Sequence, residues 1–211
     1  MTITKLGHCC LLIEDQGVRM LTDPGVWTEA QNEQKDIDIV LITHEHADHF
    51  HLESVKTIIK NNPSAKIVTN SAVGKLLAAE NITAINVEDG QTHEHGSVVI
   101  TGYGRTHAPI YPSVPVVMNT GYMINQRLYY PGDAFFVPQQ PVEILALPVC
   151  GPWLAIAQAI DFAKQIKPAR CFPVHDGMLK IMGPFHALPQ RELTKEGIEF
   201  TPLLAGETLT I

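Results

Sequence analysis

The chain reads as an α/β fold. Three observations carry that expectation. Short apolar runs recur between Gly, Pro and Asp breaks, and amphipathic helical stretches alternate with them between residues 37 and 87. One run, residues 37–42, is almost continuously apolar, as expected of a strand covered on both faces.

Taken in order, residues 2–6, 9–14 and 18–22 are expected strands, broken at Gly7 and at Asp15-Gln16-Gly17. Asp23-Pro24-Gly25 ends the third, because Pro lacks a ladder donor and Gly favours a turn. Residues 26–35 form a polar loop containing Trp27. After the strand at 37–42, Leu52, Val55, Ile58 and Ile59 have the spacing of a helix over 52–60. A strand over 65–69, a helix capped by Ser71 and running to Asn81, and a strand over 82–87 complete a series that implies parallel pairing. The polar stretch around His93 and His95 reads as an exposed turn.

Strands are expected again at 98–103, 116–124, 127–130 and 144–147, the middle two joined by the two-residue turn Asn125-Gln126. Ile156, Ile160, Ala163 and Ile166 lie on one stripe of a helix over 154–167, which Pro168 stops. A strand over 170–174, a helix over 188–196 closed by Gly197 and a strand over 207–211 end the chain.

With 211 residues the chain can bury one sizeable core, and one domain over 1–211 is expected. Its 45% hydrophobic and 18% charged residues exclude a disordered chain. A net charge of −7 disfavours nucleic acid as the main partner, which needs clustered Lys and Arg. No apolar stretch reaches the roughly 18 residues of a membrane span, and residues 1–5 lack a signal-peptide core. Cys9, Cys10, Cys150 and Cys171 form no C-x-x-C pair. They read as small buried hydrophobes of a reducing, cytoplasmic protein.

Thr43-His44-Glu45-His46-Ala47-Asp48-His49-Phe50 is the most informative segment. Imidazole nitrogen and carboxylate oxygen are what zinc and similar divalent ions accept, and His44, His46, Asp48 and His49 follow directly on a buried strand. A solvated surface cluster has no reason to sit there. Further candidates recur after strand ends: His107, Asp133 in Tyr130-Pro131-Gly132-Asp133-Ala134, and His175 in Phe172-Pro173-Val174-His175-Asp176-Gly177. Each alone is weak, and their shared placement ties them to the first cluster.

The order His44-x-His46-x-Asp48-His49, His107, Gly132-Asp133, His175 resembles the metallo-β-lactamase superfamily of metal-dependent hydrolases. Gly7-His8 before Leu11-Leu12-Ile13-Glu14, and Thr22-Asp23-Pro24, look most like the branch containing L-ascorbate-6-phosphate lactonase. The likeness spans almost the whole chain. It implies a four-layer αβ/βα sandwich with two divalent metal ions at one edge, zinc first, with manganese or iron as alternatives. By matching position, His44, His46 and His107 hold one ion. Asp48, His49 and His175 hold the other, and Asp133 bridges. The implied activity is hydroxide-driven hydrolysis of a small-molecule ester, lactone, thioester or phosphodiester, with Asp48 also orienting the nucleophile.

His8 and Asp23 read as partners of the ligating side chains. Asp176 is a further candidate partner, with solvent exposure the favoured expectation. Glu45 is expected to point away, and His51, His93, His95 and His186 have no matching role. Trp27, Phe50, Tyr111 and Trp153 sit on loops near the site, where packing is the first expectation. Arg105, Arg127 and Lys180 are too scattered to form a phosphate cluster. Two other classes compete. A diiron redox protein of this fold generally carries Glu at the position of His46, and a non-catalytic binding module typically loses ligands.

Overall fold

A computed structural model describes residues Met1–Ile211. Strands β1 (Thr2–Gly7), β2 (Cys10–Asp15) and β3 (Val18–Thr22) form an antiparallel meander. Behind β3, β4 (Ile39–Leu41), β5 (Lys66–Thr69) and β6 (Ile85–Asn86) pair in parallel. Helices α1 (Leu52–Asn61) and α2 (Ser71–Ala79) make their crossovers. The second half repeats the plan. β7 (Thr92–His95), β8 (Val98–Tyr103), β9 (Gly121–Ile124) and β10 (Leu128–Tyr130) are antiparallel. β11 (Ile144–Pro148), β12 (Arg170–Val174) and β13 (Glu199–Phe200) then pair in parallel, crossed by α3 (Ile156–Ile166) and α4 (Gly183–Thr194). Finally β14 (Thr208–Thr210) returns to pair with β1. The two seven-stranded sheets run β14-β1-β2-β3-β4-β5-β6 and β13-β12-β11-β10-β9-β8-β7.

Strand alternation explains the layering. Leu11, Ile13, Ile39 and Leu41 meet Leu128, Tyr130, Ile144, Ala146 and Phe172 in a cluster of 21 buried residues between the sheets. Their neighbours face outward. Cys10, Leu12 and Val40 pack under α1 and α2, while Tyr129, Leu145, Leu147 and Cys171 pack under α3 and α4. Both faces of these strands are therefore apolar, and the architecture is the expected four-layer αβ/βα sandwich.

Several boundaries differ from the sequence expectation. The strand expected at 37–42 is paired only over Ile39–Leu41, and that at 82–87 shrinks to Ile85–Asn86. The long strand expected from residue 116 begins at Gly121, with Met118 keeping one bridge to Thr106. Asn70, not Ser71, caps α2: its Oδ1 accepts from the N–H groups of Ala72 and Val73. His93 and His95 lie on the edge strand β7 and are half-buried, not in an exposed turn. α4 starts five residues before Leu188 and runs through Pro189. Phe185, Leu188 and Leu193 pack beneath the second sheet, and this burial offsets the missing proline N–H. The Asn125-Gln126 turn forms as expected, with φ of 51° and 55°, the left-handed pair of a type I′ hairpin.

Candidate metal centre

The loops that leave β4, β8, β10 and β12 carry the seven residues singled out in the sequence, and their side chains converge. Asp133 lies at the middle. Its Oδ2 is 2.9 Å from His175 Nε2, 3.3 Å from His107 Nε2 and 4.0 Å from His44 Nε2, while Oδ1 is 3.2 Å from His49 Nε2. Asp48 Oδ2 stands 3.5 Å from His175 Nε2 and 3.8 Å from His49 Nε2. Ring nitrogens of His44, His46 and His107 lie within 4.8 Å of one another. Glu45 is exposed and takes no part.

Backbone geometry brings these loops close together. A Cβ on Gly25 would lie 1.8 Å from the Asp48 carbonyl oxygen, so only glycine lets the Asp23-Pro24-Gly25 turn pass beneath the histidine loop. Gly132 has φ of +64°, and a Cβ there would meet Asn119 Oδ1 at 2.4 Å. Asn119 Oδ1 accepts the Asp133 N–H at 3.0 Å and so aims the carboxylate. His8, Asp23 and His175 are themselves in left-handed backbone, with φ of 42°, 35° and 59°. Three such non-glycine residues around one centre mark stored strain of the kind found at functional sites.

Hydrogen bonds fix which imidazole nitrogen faces inward. His49 Nδ1 donates to Asp23 Oδ2 at 2.7 Å, and His107 Nδ1 donates to the Ala108 carbonyl. His44 Nδ1 donates to Thr43 Oγ1 at 3.0 Å, and Thr43 Oγ1 in turn donates to Asp23 Oδ2 at 2.7 Å. Asp23 also accepts from the Thr43 N–H and the Tyr130 hydroxyl, each at 2.7 Å. It is the hub expected of a carboxylate that orients metal ligands, rather than a turn residue. His8 Nδ1 accepts the Gly177 N–H at 3.1 Å, so its Nε2 donates to Asp48 Oδ2 at 3.3 Å.

What remains is a set of buried atoms that face one another without a well-aligned hydrogen bond: Nε2 of His44, His49, His107 and His175, and Oδ1 of Asp133. Unpaired buried polar atoms of this density cost several kcal/mol, on the order of 1–3 each, unless something satisfies them. The charges of the site are strongly coupled. Burial acts against the charged forms of both His49 and Asp133. Even so, Asp133, Cys9 and Asp23 raise the His49 pKa well above its ordinary value, and His49 and His175 hold Asp133 well below its own. Asp48 also resists burial: the His8 hydrogen bond and the charges of His49 and His175 hold its carboxyl at about 2. Buried carboxylates here demand positive charge. Imidazole and carboxylate donors around them suit zinc, manganese or iron.

Sequence reasoning missed several neighbours. Asp176, expected in solvent, is 2% exposed and accepts from Lys5 Nζ at 2.7 Å, with His186 Nε2 at 2.9 Å. His186, for which no role was expected, is likewise buried and pairs with Asp176. Asn70, besides capping α2, donates through Nδ2 to the Thr43 carbonyl at 2.8 Å. Cys9 is buried as expected, but its sulfur also lies within 4.8 Å of ring nitrogens of His8, His49 and His175. No local pattern reveals these contacts. Trp27 and Trp153 line the cleft above the centre, whereas Phe50 packs beside α1 and Tyr111 is exposed.

Known proteins share this fold. Residues 2–175 match the family described as the β-lactamase superfamily domain. The chain is 33% identical over 184 residues to Protein Rv0786c of Mycobacterium tuberculosis, covering 85% of each chain. It is 30% identical over 187 residues to the UPF0173 protein PYRAB01190 of Pyrococcus abyssi, covering 84% of each. Among solved structures it is similar in fold to Igni18, a metallo hydrolase from Ignicoccus hospitalis, with TM-score 0.80, 21% identity and coverage of 100% and 97%. The chain therefore belongs to the β-lactamase superfamily and, within it, to the UPF0173 metal-dependent hydrolase family.

Proposed function

We propose that this protein is a two-metal hydrolase. His44, His46 and His107 would hold one divalent ion, and Asp48, His49 and His175 the other, with Asp133 between them. The observation that carries the reading is the inward-facing group of Nε2 atoms converging on Asp133 without well-aligned hydrogen bonds. Zinc suits this histidine-rich set best, with manganese or iron as alternatives. When bound, such ions acidify water and polarise the scissile carbonyl or phosphoryl oxygen.

The chain's own residues supply position and proton handling. Asp48 is the more exposed of the two carboxylates, at 19% against 3% for Asp133, and it reaches the open cleft. With Oδ2 engaged by His8, its other oxygen is available to orient attacking water. His8 stays neutral for this task, since burial pulls its pKa down to about 4. Asp23 and Thr43 lock His44 and His49 in the tautomer that leaves Nε2 free. The likeness to ascorbate-phosphate lactonases supports attack on a cyclic ester as one form of this chemistry. No lysine or arginine lines the cleft to receive a sugar phosphate. A location in the cytoplasm fits the free thiols, and no helix is long and apolar enough to cross a membrane.

Metal analysis of the purified protein together with a hydrolysis screen tests the proposal. About two equivalents of metal are expected, and both metal content and turnover should fall in His46→Ala and Asp133→Ala. Full turnover by metal-free protein overturns it.

A further inference from the structure

The cleft over the centre carries a second message, in the side chains that are not candidate ligands. It encloses about 250 Å³, below the roughly 300–1,000 Å³ of sites for drug-sized ligands. Five of its lining residues are candidate ligands: His46, Asp48, His107, Asp133 and His175. Apart from the indole N–H groups of Trp27 and Trp153, every other lining side chain is apolar, the largest being Val26, Trp27, Ile110, Trp153 and Met178.

Several of these are exposed at a cost that an apolar ligand would remove. Trp27 is 48% exposed, Val26 43% and Met178 40%. Tyr111 and Val114 are also exposed on the loop that carries Ile110. Exposed apolar side chains gathered at one cleft mark a binding surface rather than scattered surface residues.

Cationic groups are placed elsewhere. Arg105 pairs with Asp89 at 3.1 Å and lines a different cavity. Arg127 pairs with Glu143 at 2.7 Å. Lys180 is exposed but is not among the cleft residues. A phosphodiester carries its charge on non-bridging oxygens, which proteins commonly meet with Arg forks or Lys. This cleft offers neither.

We propose that the substrate is an uncharged carboxylic ester, open-chain or cyclic, whose apolar substituent of a few carbons lies against Trp27, Ile110 and Met178. The inference rests on the hydrolase reading above. The wall gains about 0.8 kcal/mol per buried methylene, equivalent to roughly fourfold in affinity or in kcat/KM for each carbon added until the cleft is full.

Two measurements test it on the full-length, zinc-loaded protein. The first compares kcat/KM for p-nitrophenyl acetate, butyrate and hexanoate and for γ-lactones of growing side chain with that for bis-p-nitrophenyl phosphate. Esters should exceed the diester at least 100-fold, with a rise along each chain-length series that Trp27→Ala flattens while metal content is retained. The second uses intrinsic fluorescence, because both tryptophans of the chain line this cleft. Non-hydrolysable γ-lactams should shift it with affinity that tightens along the same series, and dimethyl phosphate should not. Faster turnover of the diester, or rates and affinities indifferent to chain length, overturns the ester assignment and leaves hydrolysis standing. Absence of turnover with every ester, lactone and diester overturns the hydrolase reading itself, and the ester assignment with it.

Discussion

Lys5 and Asp176 form a 2.7 Å ion pair in which each side chain is only 2% exposed. It ties the first strand of one sheet to the turn that leaves the other sheet at His175. Lys5 Nζ also donates to the carbonyls of Pro173 and Leu203, so its remaining hydrogens are satisfied. Removing one partner from such a pair leaves an uncompensated buried charge. Lys5→Met is expected to lower stability by about 3–5 kcal/mol, read as a drop in the urea midpoint. An unchanged midpoint with normal metal content contradicts the clamp assigned to this pair.

Asp23 is not itself a candidate ligand, yet it orients two side chains that are: His49 directly and His44 through Thr43. Asp23→Asn keeps the size of the side chain but loses the charge that holds the His49 ring. Loss of such a partner typically costs about 10–100-fold in metal affinity. Competition against a chelator of known strength should show that loss, with the larger effect at the ion assigned to His49. Equal affinities in variant and parent proteins count against the role.

Gly25 leaves no room for a side chain. A methyl group there would collide with the Asp48 carbonyl, and that atom is backbone and cannot rotate away. Gly25→Ala should therefore either fail to fold or displace the loop of His46 and Asp48, with metal stoichiometry reduced in any folded fraction. A soluble variant with full stoichiometry would be incompatible with this packing.

Bound metal should stabilise the fold, because the site that binds it does not exist in the unfolded chain. At a free zinc concentration 100-fold above the dissociation constant, the gain is about 2.7 kcal/mol. Thermal unfolding with and without zinc checks this, and the shift should shrink in His46→Ala. A melting temperature insensitive to zinc in the parent protein runs against the proposed centre.

The four thiols should differ in reactivity. Burial pushes Cys9 and Cys171 up to about 12, and Cys10 well above its ordinary value. Cys150 is raised less and is the one that is not fully buried. Since the thiolate is the reactive form, a disulfide reagent at pH 8 should titrate at most one thiol in the native protein and four after unfolding. Rapid reaction of two or more native thiols would show that the core around Cys9 and Cys171 opens readily.

The strand and helix order was legible because it is written locally. The alternation of Leu128, Tyr129 and Tyr130, and the stripe from Ile156 to Ile166, reflect period and composition within a few residues. The candidate ligands were legible for a related reason: four of them crowd into 44–49, and the others follow strand ends. Boundaries were less so. Ile37 and Ile42 are as apolar as their neighbours but lie outside the strand, because pairing and not hydrophobicity defines its end.

By itself, then, the sequence determined an α/β chain with a metal-type ligand set in family order. Only the tertiary structure decided what stands around that set. Asp176 meets a lysine 171 positions away, Asp23 joins Tyr130 across 107 positions, and an acidic chain closes an apolar wall over its most polar site. Contacts at such separations leave no periodicity to read. They arise because two sheets, each apolar on both faces, bury one another and bring their loops to a common edge.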